Sequence, residues 1–179
     1  MTRTHLSQFP FALALGLTLA SCVAVTVQRT TTVAGIGGPV RPWPASATCP
    51  VPDRSAADTR RMVALMNGER AKAGLAPLVL SPALGTVAHA YACEVAARRD
   101  IGHTGSDGSS LSERLARGGV AATMVAENNA AGHTSAEAVV AGWMTSPRHR
   151  ANILRRDAVR VGIGLAGTSP LVWVADFTS

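Results

Sequence analysis

Two histidines and one glutamate have the side chains needed to hold a metal ion or a polar ligand: His103, Glu127 and His149. Two neutral imidazoles and a carboxylate match the ligand set of an open divalent metal site, whose remaining positions are left to water. The three residues lie on separate segments of the chain. Segments this far apart have many possible arrangements, so the sequence by itself leaves open whether the side chains meet.

Each histidine also has a plain structural interpretation. His103 precedes the glycine-rich stretch Gly105–Gly108, which places it in a loop, where functional residues concentrate but where a histidine can also be merely solvated. His149 follows a Ser-Pro pair near the start of a predicted short helix, and it is flanked by Arg148 and Arg150. It could therefore simply be exposed on that helix.

Glu127 ends the apolar run Met124–Ala126, and this run draws the carboxylate toward the interior. An isolated buried charge is unfavourable, so the group needs a partner or a proton. Its alternative role is structural, as an acceptor of backbone hydrogen bonds from the following loop.

The chain lacks the common motifs of hydrolytic enzymes. Neither His-x-x-x-His nor His-Glu-x-x-His occurs, the spacings that would place metal ligands on one helix. There is no Gly-x-Ser-x-Gly element and no free cysteine in the context of a nucleophile. A metal ion with an open position can still activate water, so a metal-dependent hydrolase stays an alternative.

The elements that position these residues are predicted to be helices followed by a small sheet. Helix starts are expected at four residues that can cap a helix: Ser55, Ser81, Ser110 and Thr134. Asp58 follows Ser55 by three residues and Glu137 follows Thr134 by three residues, which is the spacing of a capping box. Strands are expected where β-branched residues or alternation dominate: Leu78–Leu80, Met124–Glu127, Val159–Leu165 and Leu171–Phe177. Helices flanking a sheet indicate an α+β layered domain.

Several short motifs follow one another between Ala57 and Phe177: Asn67–Arg70 with Ala73–Leu75, Leu80–Leu84, His103–Gly108, Ala126–Asn128, Trp143–Leu154 and Val159–Gly164. In this order and spacing they resemble the bacterial form of the CAP superfamily, the cysteine-rich secretory, antigen 5 and pathogenesis-related 1 proteins. The resemblance implies a three-layer α-β-α sandwich with a small antiparallel sheet flanked by helices.

The resemblance also implies a site. His103 matches the first cavity histidine of the family and His149 the second, and Glu127 matches the carboxylate of its Gly-Glu-Asn element, although Ala126 replaces the usual glycine. These three residues are therefore the expected cleft and the expected ligands of a divalent cation.

Two further residues are candidates for the edge of this cleft. Ser146 stands where eukaryotic relatives place a second glutamate, and a serine directly before proline is most simply a helix N-cap. Glu113 is the candidate substitute for that missing carboxylate. However, Ser110 and Glu113 also have the spacing of a capping box, which would give Glu113 a partner of its own.

Two other histidines are predicted to lie outside the cleft. His89 falls off the apolar stripe of its helix and is expected to be partly exposed, while His133 precedes a predicted cap and is expected in a surface loop.

Residues 1–22 are predicted to be a lipoprotein-type signal peptide. Arg3 supplies a basic start, a short apolar run follows, and Leu19–Cys22 resembles a bacterial lipobox. Its Cys22 would carry the lipid anchor. The alternative is an ordinary secretory peptide cut near Ser21, and both interpretations predict export.

Residues 23–54 are predicted to be a Pro- and Thr-rich tether, and residues 55–179 the CAP domain. In an oxidising compartment the pair Cys49 and Cys93 predicts a disulfide that joins the end of the tether to a helix. Two free thiols are the alternative.

The charge balance argues against nucleic acid as a partner. The chain has 17 basic and 11 acidic residues, a formal charge of +6, but only 4% aromatic residues and no basic run interleaved with them. A weak affinity for anionic surfaces is the more modest expectation.

The leading functional hypothesis is a monomeric, lipid-anchored, non-catalytic binding module. Its His/Glu cleft would hold a lipid, a cell-wall component, a peptide or a weakly bound divalent cation such as zinc. The alternatives are a metal-dependent hydrolase of the envelope or extracellular space, and a structural envelope protein with a vestigial cleft.

Overall fold

The structure, a computed structural model, describes residues 49–179. Cys22, the expected signal peptide and most of the expected tether lie outside these residues. The described part contains five helices and four strands, in this order: α1 (Ser55–Lys72), β1 (Val79–Leu80), α2 (Pro82–Arg98), α3 (Leu111–Arg117), β2 (Val125–Ala131), α4 (Ala136–Thr145), α5 (Pro147–Ile153), β3 (Arg160–Ala166) and β4 (Val172–Thr178).

The four strands form one sheet in the order β1-β3-β4-β2. β4 pairs antiparallel with both β3 and β2, as expected. The expectation of a purely antiparallel sheet is wrong for β1, which pairs parallel with β3. Parallel neighbours need a long crossover, and the segment between these strands, which contains α2 to α5, is long enough to supply one.

Helices cover both faces of the sheet, which confirms the three-layer α-β-α sandwich. On one face α1, α4 and α5 pack their apolar residues on the inward side chains of β3 and β4, and these residues form the largest core cluster: Met62, Met66, Val139, Trp143, Ile153, Val161, Ile163, Trp173 and Phe177. On the other face α2 packs through Tyr91 and Val95 against Val172 and Val174.

The alternating glycines of β3 allow α2 to lie close to the sheet. A Cβ on Gly162 would overlap the backbone of Leu84, and one on Gly164 would overlap the backbone of Ala88. Alternate residues of a strand face opposite sides, so the small residues of Val161–Gly164 meet α2 while the large ones enter the opposite core.

Two of the predicted caps are confirmed. The hydroxyl of Ser81 accepts a hydrogen bond from the Leu84 amide, with Pro82 in the first turn of α2. Ser110 and Glu113 form the reciprocal capping box at the start of α3.

The other two predicted caps are wrong. Ser55 is already the first residue of α1, and Asp58 pairs with Arg54, whose Nε lies 2.7 Å from its Oδ2. At α4 the cap is Ser135, one residue beyond the predicted Thr134, and it accepts from the Ala138 amide. Both errors have one cause, since neighbouring polar residues offer more than one start that satisfies the same capping rule.

The predicted disulfide is confirmed. Cys49 is bonded to Cys93, with 5.7 Å between the two Cα atoms. It joins the segment before α1 to the buried side of α2, and Cys49 packs against the α2 cluster.

Candidate functional site

His103 and Glu127 are in direct contact. The Nδ1 atom of His103 lies 2.8 Å from Oε1 of Glu127. Glu127 is on β2 with 3% of its side chain exposed, whereas the His103 side chain, in the loop after α2, is 63% exposed. The buried carboxylate therefore holds an exposed imidazole by one nitrogen and leaves Nε2 as the nitrogen available to a ligand.

Both oxygens of Glu127 are engaged. Asn129 donates to Oε1 at 3.1 Å, and the guanidinium of Arg114 forms a salt bridge with Oε2. Arg114 is fully buried, lies over the ring of Tyr91 at 3.7 Å, and also donates to the backbone oxygen of His103 at 3.0 Å. Arg114 thus fixes both the carboxylate and the loop that carries the imidazole.

Asp176 lies opposite Glu127 in the β2–β4 register and is fully buried. Its carboxyl oxygens have no hydrogen-bond partner among the described residues. Burial first, and then the negative charge of Glu127, raise the pKa of Asp176 well above its usual value. The protonated form of Asp176 is therefore favoured beside the salt bridge between Glu127 and Arg114.

His149 is half-buried on α5, next to Trp143, with 6.4 Å between the ring centroids. Its backbone oxygen accepts a 3.0 Å hydrogen bond from the side chain of Asn128. Asn152 strengthens this link by donating to Asn128 Oδ1 at 2.8 Å. The motif around His149 therefore ties α5 to β2, the strand that carries Glu127.

The two imidazoles have opposite electrostatic settings. The hydrogen bond with Glu127 raises the pKa of His103, against an opposing effect of burial. Burial lowers the pKa of His149, and the charge of His103 lowers it further. His149 is thus favoured in its neutral, metal-binding form, while His103 is the better proton acceptor.

The two candidate edge residues are held by local structure. Ser146 lies between α4 and α5 at the N-cap position, as expected, but its side chain makes no capping hydrogen bond. Glu113 accepts from the amide and hydroxyl of Ser110, both at 2.8 Å, and these bonds lower its pKa. The capping interpretation of Glu113 is therefore confirmed.

The sequence profile of the CAP family, described as the cysteine-rich secretory protein family, matches residues 63–177. The chain belongs to the CAP family. It is similar to the uncharacterized protein YkwD of Bacillus subtilis, with 30% identity over 132 residues that cover 74% of this chain and 51% of YkwD. It is also 29% identical over 106 residues to the uncharacterized membrane protein YlbC of that species, covering 59% of this chain and 31% of YlbC. The chain thus spans about half or less of the length of these relatives.

Solved structures of bacterial proteins share the CAP fold. An outer surface protein of Borrelia burgdorferi aligns with a TM-score of 0.67 at 23% identity, covering 74% of this chain and 98% of that one. An extracellular protein of Bacillus anthracis that contains an SCP domain aligns with a TM-score of 0.65 at 23% identity, covering 73% and 45%. Within residues 49–179, no helix is both long and apolar enough to span a membrane.

A cluster with metal-ligand chemistry lies elsewhere in the described part of the CAP domain. Within residues 49–179, the one group of three such side chains with mutually close ligand atoms is Cys49, His89 and Cys93, and its two cysteines form the disulfide. The expected convergence of His103, Glu127 and His149 on one cation stays a prediction.

Several residues of the site were missed by sequence reasoning. Arg114 carried no signal beyond its place in a short helix, because an arginine in a helix is ordinarily exposed. Asp176 had a usable signal, since it is a lone acidic residue in the apolar strand Val172–Thr178. Asn128 and Asn152 lie inside motifs of the family resemblance, but their mutual hydrogen bond depends on the fold.

Proposed function

We propose that this protein is an exported, lipid-anchored CAP-domain protein whose cleft at His103 and His149 binds ligands without catalysing a reaction. The observation that carries the proposal is the complete engagement of Glu127: its two oxygens are occupied by Arg114, Asn129 and His103. A carboxylate in this setting orients an imidazole.

The same observation supports a division of roles within the proposed divalent cation site. A metal-bound histidine commonly donates its second N–H to a carboxylate, which fixes the tautomer and the direction of the ring. Glu127 fits that outer role, and His103 Nε2 and one nitrogen of His149 would be the protein ligands. Two imidazoles are a small donor set, so the residues fit a weakly bound cation such as zinc.

The setting of Glu127 also argues against the hydrolase alternative in which this carboxylate is the general base. A base must be free to accept a proton from water. Glu127 is 3% exposed, and its two oxygens are already engaged by Arg114, Asn129 and His103, which leaves no oxygen facing a water molecule.

Export is supported by the disulfide between Cys49 and Cys93, because disulfides persist in oxidising compartments. Two of the structural neighbours are an extracellular protein and an outer surface protein, which supports the same localisation. The lipid anchor is proposed at Cys22, in the sequence Leu19–Cys22. A lipid, a cell-wall component or a peptide is the proposed organic ligand of the cleft.

The cation site is tested by zinc calorimetry on the oxidised full chain carrying Cys22→Ser. We expect weak binding that is lost in His103→Ala and in His149→Ala and retained in the matched control His133→Ala. Nitrogen NMR should find neutral His103 with its proton on Nδ1. Equal zinc affinity in all three variants, or a proton on Nε2, would overturn the site.

The same samples distinguish binding from catalysis. Hydrolysis of peptide or ester substrates that is lost with chelator and with His149→Ala would support the metal-dependent hydrolase instead. Zinc binding without such turnover supports the binding module.

The anchor has its own test, which is growth with a labelled fatty acid. Label should enter the wild-type protein and be absent from Cys22→Ser. A wild-type protein that is recovered soluble and without lipid mass would contradict the anchor and leave the cleft unaffected.

A further inference from the structure

A second group of metal-ligand side chains surrounds the disulfide, on the α2 face of the sheet. His89 and Cys93 are four residues apart on α2, so they lie one turn apart on the same side of the helix. Cys49 reaches them from the segment before α1. The ligand atoms of the three residues all lie within 4.8 Å of one another.

The tautomer of His89 is set by the backbone. Its Nδ1 lies 2.9 Å from the carbonyl oxygen of Leu165, and a carbonyl can only accept, so Nδ1 carries the proton. In the neutral ring Nε2 then holds a lone pair, and it lies 3.6 Å from Sγ of Cys93. A disulfide sulfur has no proton to offer this lone pair.

These distances suit a tetrahedral metal ion. With a Zn–S bond of about 2.3 Å and a Zn–N bond of about 2.0–2.1 Å, the sulfur and nitrogen of a tetrahedral site are roughly 3.5 Å apart. The separation of His89 Nε2 and Cys93 Sγ, 3.6 Å, already has this value. A histidine that donates its other N–H to a backbone carbonyl is also the usual outer arrangement of a metal-bound imidazole.

One movement is needed after the disulfide opens. The two sulfurs of a tetrahedral site lie about 3.8 Å apart, so the thiols of Cys49 and Cys93 must separate. Cys93 is 5% exposed within α2, whereas Cys49 is half-buried in a segment outside the helices and strands. The movement therefore falls on Cys49, and no helix has to unwind.

We infer that Cys49, Cys93 and His89 form a redox-gated site for a thiophilic divalent cation such as zinc, with the disulfide and the metal as mutually exclusive states. A dithiol reductant transfers two electrons and two protons to the disulfide, yielding two thiols and its own disulfide. The cation then replaces the two thiol protons, binds both thiolates and Nε2 of His89, and takes water as its fourth ligand. The metal would restore the link between the segment before α1 and α2 that reduction breaks.

Cobalt is the probe that tests this site, because thiolate ligation produces an intense sulfur-to-cobalt charge-transfer band that imidazole and carboxylate ligation do not. The full chain carrying Cys22→Ser is reduced with dithiothreitol, freed of reductant under argon and titrated with Co²⁺. We expect one equivalent to bind with the charge-transfer band. The oxidised protein should show no such band.

Variants assign the ligands. Loss of a residue that hydrogen-bonds to a metal ligand weakens metal binding by roughly 10–100-fold. His89→Gln removes a ligand itself, so it should weaken cobalt binding by at least this factor. The control His133→Gln should leave cobalt binding unchanged. Cys49→Ser leaves one thiolate, so it should weaken cobalt binding and reduce the intensity of the band without altering α2. The double variant His103→Ala/His149→Ala should keep the band, which separates this site from the proposed cleft.

The outcomes that would overturn the site are a reduced protein without the band, or a band of equal affinity in His89→Gln with its helical circular dichroism intact. Should His89→Gln fail to fold, a weakened and less intense band in folded Cys49→Ser still tests thiolate ligation, and an unchanged band there would overturn the site.

Discussion

Two arginines are almost fully buried in this CAP domain, Arg70 of α1 and Arg114 of α3, with 1% and 0% of their surface exposed. Arg70 donates to backbone carbonyls, and its four acceptors come from segments that meet around α1: Ala76, Ile153, Arg155 and Ala158. Arg114 instead pairs with the carboxylate of Glu127 and lies over the ring of Tyr91.

The different surroundings of the two arginines indicate a structural role for Arg70 and a role at the candidate site for Arg114. Carbonyl dipoles satisfy the N–H groups of Arg70 but supply no opposite net charge, and burial lowers the pKa of this guanidinium. Arg114 has an opposite charge, and that charge is in turn hydrogen-bonded to an exposed imidazole. Arg70 thus joins the backbone segments around α1, whereas Arg114 fixes the carboxylate of Glu127, which is hydrogen-bonded to the exposed imidazole of His103.

The largest expected effect comes from Arg114→Met. This variant leaves Glu127 buried without its partner, and breaking a buried pair in this way destabilises a protein by about 3–5 kcal/mol. Urea unfolding measures the loss. The double variant Arg114→Met/Glu127→Gln removes both charges and should recover part of it, whereas a double variant less stable than Arg114→Met would contradict a charge origin.

Arg70→Met should destabilise less, by about 2–3 kcal/mol, because it leaves carbonyls without donors but no buried charge. The same unfolding experiment measures it, with Arg60→Met on the exposed side of α1 as the control. Zinc binding by the folded Arg70→Met protein should match wild type. A variant that folds but loses zinc binding would show that Arg70 also supports the site.

The next effect is a change in titration. The pKa of His103 should lie above 6.5 and that of His149 below it, and His103→Ala should raise the pKa of His149 by removing a nearby positive charge. NMR titration of the ring protons measures both values. His133→Ala is the control, and an unchanged His149 pKa in His103→Ala would show that the two rings are electrostatically independent.

These shifts also set the sign of the stability change near pH 6.5. Because the pKa of His103 is raised in the folded state, its stabilising contribution to the free energy of unfolding is fully present below its unfolded pKa. This contribution is lost as pH rises through the folded pKa. The lowered pKa of His149 acts oppositely, because its contribution is present above its unfolded pKa and is lost as pH falls through the folded value.

The smallest expected effect is that of Tyr91→Phe. The aromatic face remains under Arg114, and the hydroxyl makes a long 3.4 Å contact with the Thr104 carbonyl besides its interaction with Arg98. The change in stability should stay within about 1 kcal/mol, while Tyr91→Leu, which removes the cation–π contact, should lose more. Equal losses in the two variants would mean that the ring does not hold Arg114.

Much of the fold could be predicted because its signals are local. The start of α2 follows from Ser81 and Pro82, β3 follows from the alternation of large and small residues, and β4 follows from its β-branched and aromatic residues. The parallel pairing of β1 could not be predicted, since a two-residue strand has no period and its partner lies about eighty residues away. The exact start of α4 could not be predicted either, because the neighbouring residues Thr134 and Ser135 can both cap a helix.

The sequence by itself determined which residues are candidates for the site and the family that the domain resembles, because residue type and order are properties of the chain. It predicted the disulfide between Cys49 and Cys93 but left two free thiols as the alternative. Only the tertiary structure decided that Glu127 has both oxygens occupied, that Arg114 is the residue behind it and that His89 faces the disulfide. The reason is physical: a side chain's charge state and free atoms depend on which neighbours replace water around it, and folding brings those neighbours from distant segments.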